Sequence, residues 1–139
     1  MTTQTSAFDQ VVQRISKGKY MTLTTFRSNG QAVVTPVGCV VDSGTLYVLT
    51  PPSTGKVKRI RSNGRAKVAP SNMQGTVPPG APSAEGAARL LDAAETARVQ
   101  DLMSRRSCMY RLVRVSDSLL RRQRPLVAIA ITRSPLPER

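Results

Sequence analysis

The sequence predicts an α+β protein built on an antiparallel β-barrel, and three observations support this fold class. Short stretches rich in β-branched residues recur between tight-turn signals early in the chain, which is typical of hairpin-linked strands. Helical patterns flank these strands, and short strands separated by turns favour a closed sheet over one with open edges. The chain has 139 residues, which suits one domain with one core. We therefore expect a single domain over 1–139, with its core at about 8–132.

The first half of the chain predicts a helix and then three strands. Apolar residues at helical spacing predict the helix over 6–17, and Ser6 has the side chain of an N-cap. Asn29-Gly30 and Ser43-Gly44 are residue pairs typical of hairpin turns. These two turns separate strands that are expected at 20–26, 32–41 and 45–50.

The second half of the chain mixes helices with shorter strands. Pro51-Pro52 ends the hairpin series, and a short basic helix is expected over 55–61, with Gly64 as a left-handed C-cap. A strand is expected at 66–70, followed by a Pro- and Gly-rich loop at 71–82 and a strand at 83–91, in which Gly86 marks a bulge or a close-approach site. A helix is expected at 93–106, with Asp92 as its cap and with Ala97, Val99 and Leu102 as its packing residues. A helical piece through 109–120 and a last strand at 126–132 complete the prediction.

The composition excludes several classes of catalytic site. The chain has no histidine, which removes Ser-His-Asp and Cys-His machinery. Two cysteines without histidine do not form a structural zinc site, so we expect reduced thiols and no bound metal. The segment 51–57 resembles a phosphate loop, but Thr50 and Val57 stand where that motif needs Gly and a hydroxyl residue. Nucleoside triphosphatase activity is therefore not predicted.

The chain is also predicted to be cytoplasmic. Its longest apolar run, 126–131, is far shorter than the roughly 20 residues needed to span a bilayer, so no membrane association is expected. Residues 1–7 have neither the basic start nor the apolar stretch of a secretory signal.

The formal net charge of +13 predicts that the protein binds anions. Ser53, Thr54 and Lys56 stand at the start of the basic helix, where free N–H groups and the helix dipole favour a phosphate. A solvated basic helix face remains an alternative interpretation of this stretch and of a second basic run at 105–124. With two Phe, three Tyr and no Trp, the chain has few platforms for stacking nucleic-acid bases, which argues against such an interface.

Several stretches of the sequence resemble the pyridoxamine-phosphate-oxidase-like split barrels. They are KYMTLTTF at 19–26, VTPV at 34–37, GTLYV at 44–48, GKVKRIRSN at 55–63 and EGAARLL at 85–91. The likeness covers most of 8–132, and within the superfamily the chain is similar to the deazaflavin-dependent branch. It implies a split β-barrel, antiparallel and FMN-binding-like, with flanking helices. It also implies a homodimer with two cofactor sites at the subunit interface.

The resemblance further implies that coenzyme F420 is the cofactor, with FMN as the alternative. The implied site residues form three groups: a strand whose backbone lies along the ring system, a turn that grips the phosphate together with nearby cations, and two residues after the fourth strand. In that order they are Thr35, Pro36 and Val37; Thr50, Ser53, Thr54, Gly55, Lys56, Lys58 and Arg61; and Ser71 and Asn72.

The implied function is that of an F420-dependent oxidoreductase, which transfers a hydride between reduced deazaflavin and a small conjugated or heteroaromatic acceptor. No side chain is assigned as a catalytic residue, because the cofactor carries the chemistry. Two alternatives stay open from the sequence. One is a split-barrel protein that binds FMN or a haem-type cofactor without robust turnover, and the other is a basic nucleic-acid-binding module.

Overall fold

The structure is a computed structural model that describes residues 6–15, 20–106 and 126–133. These residues form three helices and seven strands. In chain order they are α1 (Ala7–Ile15), β1 (Tyr20–Phe26), β2 (Ala32–Gly38), β3 (Val40–Asp42), β4 (Thr45–Thr50), α2 (Gly55–Ser62), β5 (Arg65–Ser71), β6 (Ala84–Leu90), α3 (Ala93–Arg106) and β7 (Val127–Arg133). The helical piece predicted through 109–120 lies outside the described residues.

The seven strands form one antiparallel sheet in the order β2-β1-β5-β6-β7-β4-β3. β2 and β3 are therefore at opposite edges of the sheet, although only Cys39 separates them in the chain. One residue can join the two edges only if the sheet curls until they approach each other. The predicted fold class, an antiparallel α+β split barrel with flanking helices, is confirmed.

The prediction of one continuous strand over 32–41 is wrong. Residues 32–38 pair with β1, whereas residues 40–42 pair with β4, so the chain changes partner at Cys39. The change of partner follows from curling of the whole sheet. It could not be read from the local sequence, because β-branched residues, which are typical of strands, stand on both sides of the bend. Burial raises the pKa of the Cys39 thiol to about 12, which keeps it protonated at neutral pH.

The core lies on the inner face of the curled sheet, where every second side chain of a strand points. The most deeply buried apolar side chains of β1, β4 and β7 on this face are Met21, Leu23, Leu46, Val48, Ile129 and Ile131. α1 packs Phe8, Val11 and Ile15 onto the same core, and Ser6 caps it by accepting a hydrogen bond from the Asp9 N–H at 3.1 Å. Full burial of one such apolar side chain contributes roughly 1.5–3 kcal/mol.

Both predicted hairpin turns form at their predicted positions. The first turn has Gly30 at φ +90°, and the second has Ser43 at φ 52° and Gly44 at φ +78°. Positive φ is sterically free for glycine, which explains why these residue pairs specify the turns.

Two other glycines allow neighbouring backbone segments to approach each other closely. A Cβ on Gly86 would lie 2.7 Å from the Thr132 carbonyl oxygen, so the predicted close approach is confirmed. The prediction that Gly64 is a left-handed cap is wrong, because α2 ends instead at Asn63 in an extended conformation with φ −153°. A Cβ on Gly64 would lie 2.8 Å from the Ala88 carbonyl oxygen, which shows that its function is also close packing.

α3 begins as predicted but packs through a different set of residues. The Asp92 carboxylate accepts a hydrogen bond from the Glu95 N–H at 2.8 Å and so caps the helix. The prediction that Ala97 packs inward is wrong, since Ala97 is exposed, whereas Val99 is buried. Thr96 is buried in its place, and its hydroxyl accepts a hydrogen bond from the Ala128 N–H of β7 at 3.1 Å.

Candidate functional site

The candidate site is built around the start of α2, which follows directly from the end of β4. Thr54 precedes the helix in an extended conformation, and its hydroxyl donates to the Pro51 carbonyl at 3.1 Å. The Thr50 and Thr54 hydroxyl oxygens lie 3.3 Å apart. The Thr54 side chain makes no capping hydrogen bond to the helix. The first N–H groups of α2 are therefore left without a side-chain cap, as in helices that bind anions at this end.

α2 is held against the barrel by one apolar side and carries cations on the rest of its surface. Val57 and Ile60 are buried, and the helix contacts β1 and β6. The cations are Lys56, Lys58, Arg59 and Arg61. Within the part of the chain that the structure describes, none of these four forms an ion pair with a carboxylate, and the first turn contains no acidic residue.

The Arg59 side chain folds back along α2 toward its first turn. Its Nε donates to the Thr25 hydroxyl of β1 at 2.6 Å, and Thr25 is only 1% exposed. Its Nη1 lies 2.7 Å from the position that a Cβ on Gly55 would occupy. The guanidinium is thus placed over the start of the helix by a buried hydroxyl of the sheet.

Lys56 lies close enough to this guanidinium for the two charges to interact. The pKa of the Lys56 ammonium is lowered from its ordinary value, first by partial burial and second by the positive charge of Arg59. Cations at a helix N-terminus also face the positive end of the helix dipole, at a cost of about 0.3–1 kcal/mol each. A bound anion would remove both repulsions, so the chemistry of this turn favours a negatively charged ligand.

The predicted ring-binding strand is part of β2, which pairs with β1, the strand that carries Thr25. Thr35 and Val37 face the inside of the barrel and are partly buried, whereas Pro36 is exposed on the other face. The Thr35 hydroxyl donates to the Leu23 carbonyl at 3.4 Å. Thr35 pairs with Leu23 of β1, and Thr25, which binds Arg59, lies two residues further along that strand. The contact between Thr25 and Arg59 is therefore roughly 7 Å along β1 from Thr35.

Ser71 and Asn72 lie at the other end of β1 and participate in a loop. Ser71 pairs with Tyr20, which is five residues from Thr25, or roughly 17 Å along the strand. The Ser71 hydroxyl donates to the Asn72 carbonyl at 3.0 Å. The Asn72 side-chain oxygen accepts hydrogen bonds from the N–H groups of Gln74 and Thr76 at 3.0 and 2.9 Å. These two side chains organise the loop at 72–76 rather than the start of α2.

The structure places the predicted site residues in three groups, at the turn between β4 and α2, on β2, and at the end of β5. Around the start of α2 are Thr50, Ser53, Thr54, Gly55 and Lys56, with Lys58 and Arg61 exposed further along the helix. Thr35, Pro36 and Val37 lie on β2 opposite residues 21–23 of β1, and Ser71 lies opposite Tyr20 at the end of β5, followed by Asn72.

Sequence reasoning did not assign Arg59 or Thr25 to the site. A signal for Arg59 was present, because residues four apart on a helix are neighbours and Gly55 leaves room for the Arg59 side chain. No local signal indicates Thr25, since its contact with Arg59 joins residues 34 positions apart.

A shallow groove between α3 and the strands β3 and β4 is separate from this site. It is lined by both acids and bases, including Asp42, Glu95 and Arg98. Arg105, the first residue of the second basic run, forms an ion pair with Asp101 there. The side chains of the rest of that run lie outside the described residues.

Comparison with known proteins shows the family to which the chain belongs. The family model described as pyridoxamine 5'-phosphate oxidase matches residues 7–133, so the chain belongs to that family. No curated protein sequence matches the chain significantly.

Within the described residues, no helix is both long and apolar enough to cross a bilayer.

Solved structures of similar fold differ in what they bind. A Listeria innocua protein, provisionally named as a pyridoxamine 5'-phosphate oxidase, has a TM-score of 0.61 and 18% identity, with 96% of this chain and 95% of that chain covered. The haem storage protein HutZ of Vibrio cholerae has a TM-score of 0.63 and 15% identity, with 91% and 87% covered. An F420 reductase has a TM-score of 0.56 and 18% identity, with 86% and 90% covered. At these identities the likeness establishes the split-barrel fold alone.

Proposed function

We propose that this protein is an F420-dependent oxidoreductase, with FMN as the alternative cofactor. The observation that carries the proposal is the first turn of α2, where the partly buried Lys56 stands at a helix start that no side chain caps, with no acidic partner among the described residues. Membership of the pyridoxamine 5'-phosphate oxidase family and the fold shared with an F420 reductase support it.

The residues of this chain would bind and orient the cofactor from two sides. The ammonium of Lys56, the hydroxyls of Ser53 and Thr54 and the first N–H groups of α2 would hold the phosphate by charge-assisted hydrogen bonds. Val57 and Ile60 fix α2 to the barrel, so hydrogen bonds from α2 to the phosphate would also fix the position of the phosphate relative to the barrel. The backbone of β2 at 35–37 would then lie alongside the ring system.

The chemistry would come from the cofactor, and no side chain needs to act as a nucleophile. When bound, reduced deazaflavin would supply a hydride, which carries two electrons, to the acceptor, and one proton would complete the acceptor's reduction. The exposed cations Lys58 and Arg61 favour F420 over FMN, because F420 continues beyond its phosphate into a tail of carboxylates.

A haem-type role is less well supported by the residues of this chain. The full sequence contains no histidine, which is the usual iron ligand in haem proteins. A nucleic-acid-binding role would rest on net charge alone, and that binding should fall steeply as salt rises.

We expect the protein to oxidise reduced F420 when a conjugated or heteroaromatic acceptor is supplied. NADPH should not replace reduced F420, because the chain has no Gly-x-Gly-x-x-Gly motif that follows a strand. The absorbance of oxidised F420, followed over time with and without protein, measures the reaction. Efficient turnover with NADPH and no added deazaflavin or flavin would contradict the proposal.

We also propose that the protein is a homodimer that associates through the β2 side of the barrel. Within the described part of the chain, β2 has no strand partner on its outer edge, and Val34 on it is 57% exposed. Met73 is 60% exposed in the loop that Gly75 brings against Pro36. An open strand edge beside exposed apolar side chains is typical of an association surface.

The dimer can be tested by light scattering at micromolar concentration. We expect twice the mass of one chain for the wild-type protein, and a shift to monomer when Val34 and Met73 are both replaced by Lys. Ala97→Lys, which adds charge at an exposed position of α3, is the control and should leave the mass unchanged. A monomeric wild-type protein would contradict the proposal.

A further inference from the structure

The position of the Arg59 guanidinium links a buried residue of the sheet to the start of α2. Nε is engaged by the Thr25 hydroxyl at 2.6 Å, while Nη1 and Nη2 lie 2.7 and 3.6 Å from the position of a Cβ on residue 55. Within the described residues, neither Nη1 nor Nη2 forms an ion pair or a hydrogen bond with an acceptor. The two terminal nitrogens thus occupy the space that a side chain at position 55 would fill.

We propose that Arg59 is a phosphate-binding residue of this site, and that Thr25 and Gly55 position its guanidinium. This inference rests on the proposed function, since it concerns the same turn of α2. It gives the phosphate site a second cation besides Lys56. It also includes Thr25 of β1, a strand that the proposed function does not use. The ligand chemistry is a phosphate group, either the phosphomonoester of FMN or the phosphodiester of F420.

The shape of the guanidinium explains why arginine suits this position. Its donors form a planar fork, so one nitrogen can bind Thr25 while the other two present parallel N–H groups to a phosphate. A lysine has one nitrogen, which cannot reach Thr25 and lie over Gly55 at the same time. Holding the fork in place before the ligand arrives lowers the entropy lost on binding.

Gly55 contributes the space that the fork occupies. Glycine is a poorer helix former than alanine, and no positive φ requires glycine at this position. A methyl group there would approach Nη1 to 2.7 Å and displace the end of a flexible side chain rather than the backbone. Gly55→Ala should therefore move the guanidinium without damaging the helix.

The test compares Arg59→Gln, Arg59→Lys and Gly55→Ala with the wild-type protein, and Arg98→Gln is the control. Arg98 is an exposed arginine of α3, a helix that contacts β3, β4 and β7 rather than β1 and β6. Each protein is titrated calorimetrically with F420, FMN and inorganic pyrophosphate, and its melting temperature is measured.

We expect Arg59→Gln to weaken binding of the wild-type protein's phosphate ligand by about ten- to a hundredfold. Arg59→Lys should lose nearly as much, although it keeps the charge. Gly55→Ala should lose affinity while its melting temperature stays the same or rises, and Arg98→Gln should change neither quantity. Combining Gly55→Ala with Arg59→Gln should add little to the loss, because both changes remove the same interaction.

Other results would overturn the inference and separate it from the proposed function. Wild-type affinity in Arg59→Lys or in Gly55→Ala would mean that the guanidinium fork is not used. If the wild-type protein binds F420 or FMN and Arg59→Gln binds equally well, Arg59 has no role, but the proposed function stands. If only pyrophosphate binds and Arg59→Gln loses it, the proposed cofactor is wrong but the role of Arg59 stands. Binding of none of the three would overturn both.

Discussion

Replacing Lys56 by Ala is expected to weaken cofactor binding by about ten- to a hundredfold, because one charge-assisted hydrogen bond contributes roughly 1.5–3 kcal/mol. Lys56 is partly buried at the first turn of α2, beside a second cation and without an acidic partner among the described residues. Folding should survive the change, because α2 is fixed to the barrel by Val57 and Ile60. Calorimetric titration with F420 and FMN measures the effect.

Arg98→Ala is the control, since it also removes one positive charge from a helix, but at an exposed position of α3. It should change the affinity only slightly. Titrations at two salt concentrations sharpen the comparison, because salt screens diffuse attraction more strongly than a direct, partly buried contact. Equal losses in Lys56→Ala and Arg98→Ala would mean that the basic face of α2 is only solvated, and the phosphate assignment would be wrong.

Replacing Phe8 by Ala is expected to lower the free energy of unfolding by about 3–5 kcal/mol, the usual effect of truncating a buried aromatic side chain. Phe8 is 1% exposed and joins α1 to the core inside the barrel. A Cβ on Gly86 would lie 3.0 Å from its Cε1, so the ring is packed directly over the backbone of β6. This loss is large compared with the free energy of unfolding of most domains, which is roughly 5–15 kcal/mol.

Urea unfolding followed by circular dichroism measures this change. Gln10→Ala is the control, because Gln10 is exposed on the same helix and such substitutions usually change stability by no more than about 0.5 kcal/mol. If Phe8→Ala is as stable as Gln10→Ala, α1 does not cover the core as described.

The parts of the fold that depend on local chemistry could be predicted from the sequence. Gly30 and Gly44 adopt the positive φ that their turns require, and the strands on either side follow from those turns. Ser6 and Asp92 cap their helices through their own side chains. In each case the interaction joins residues close together in the chain, so the pattern and its outcome lie in the same short window.

The parts that depend on contacts between distant segments could not be predicted. The bend at Cys39 is set by curling of the whole sheet, and Gly64 is glycine because Ala88 passes close to it. The same reason applies to the candidate site. The sequence predicted Lys56 at a helix start. Thr25, which holds Arg59 at that helix start, lies 34 residues before Arg59 in the chain, so no local pattern indicates it.

In the proposed function, the first turn of α2 binds the phosphate of a flavin-type cofactor. The most direct test is calorimetric titration of the wild-type protein with two pairs of ligands, FMN against riboflavin and F420 against its phosphate-free deazaflavin core. We predict that the phosphorylated member of the preferred pair binds at least about tenfold more tightly, as expected for one or more charge-assisted hydrogen bonds to the phosphate. Equal affinity for both members of each pair would contradict the claim.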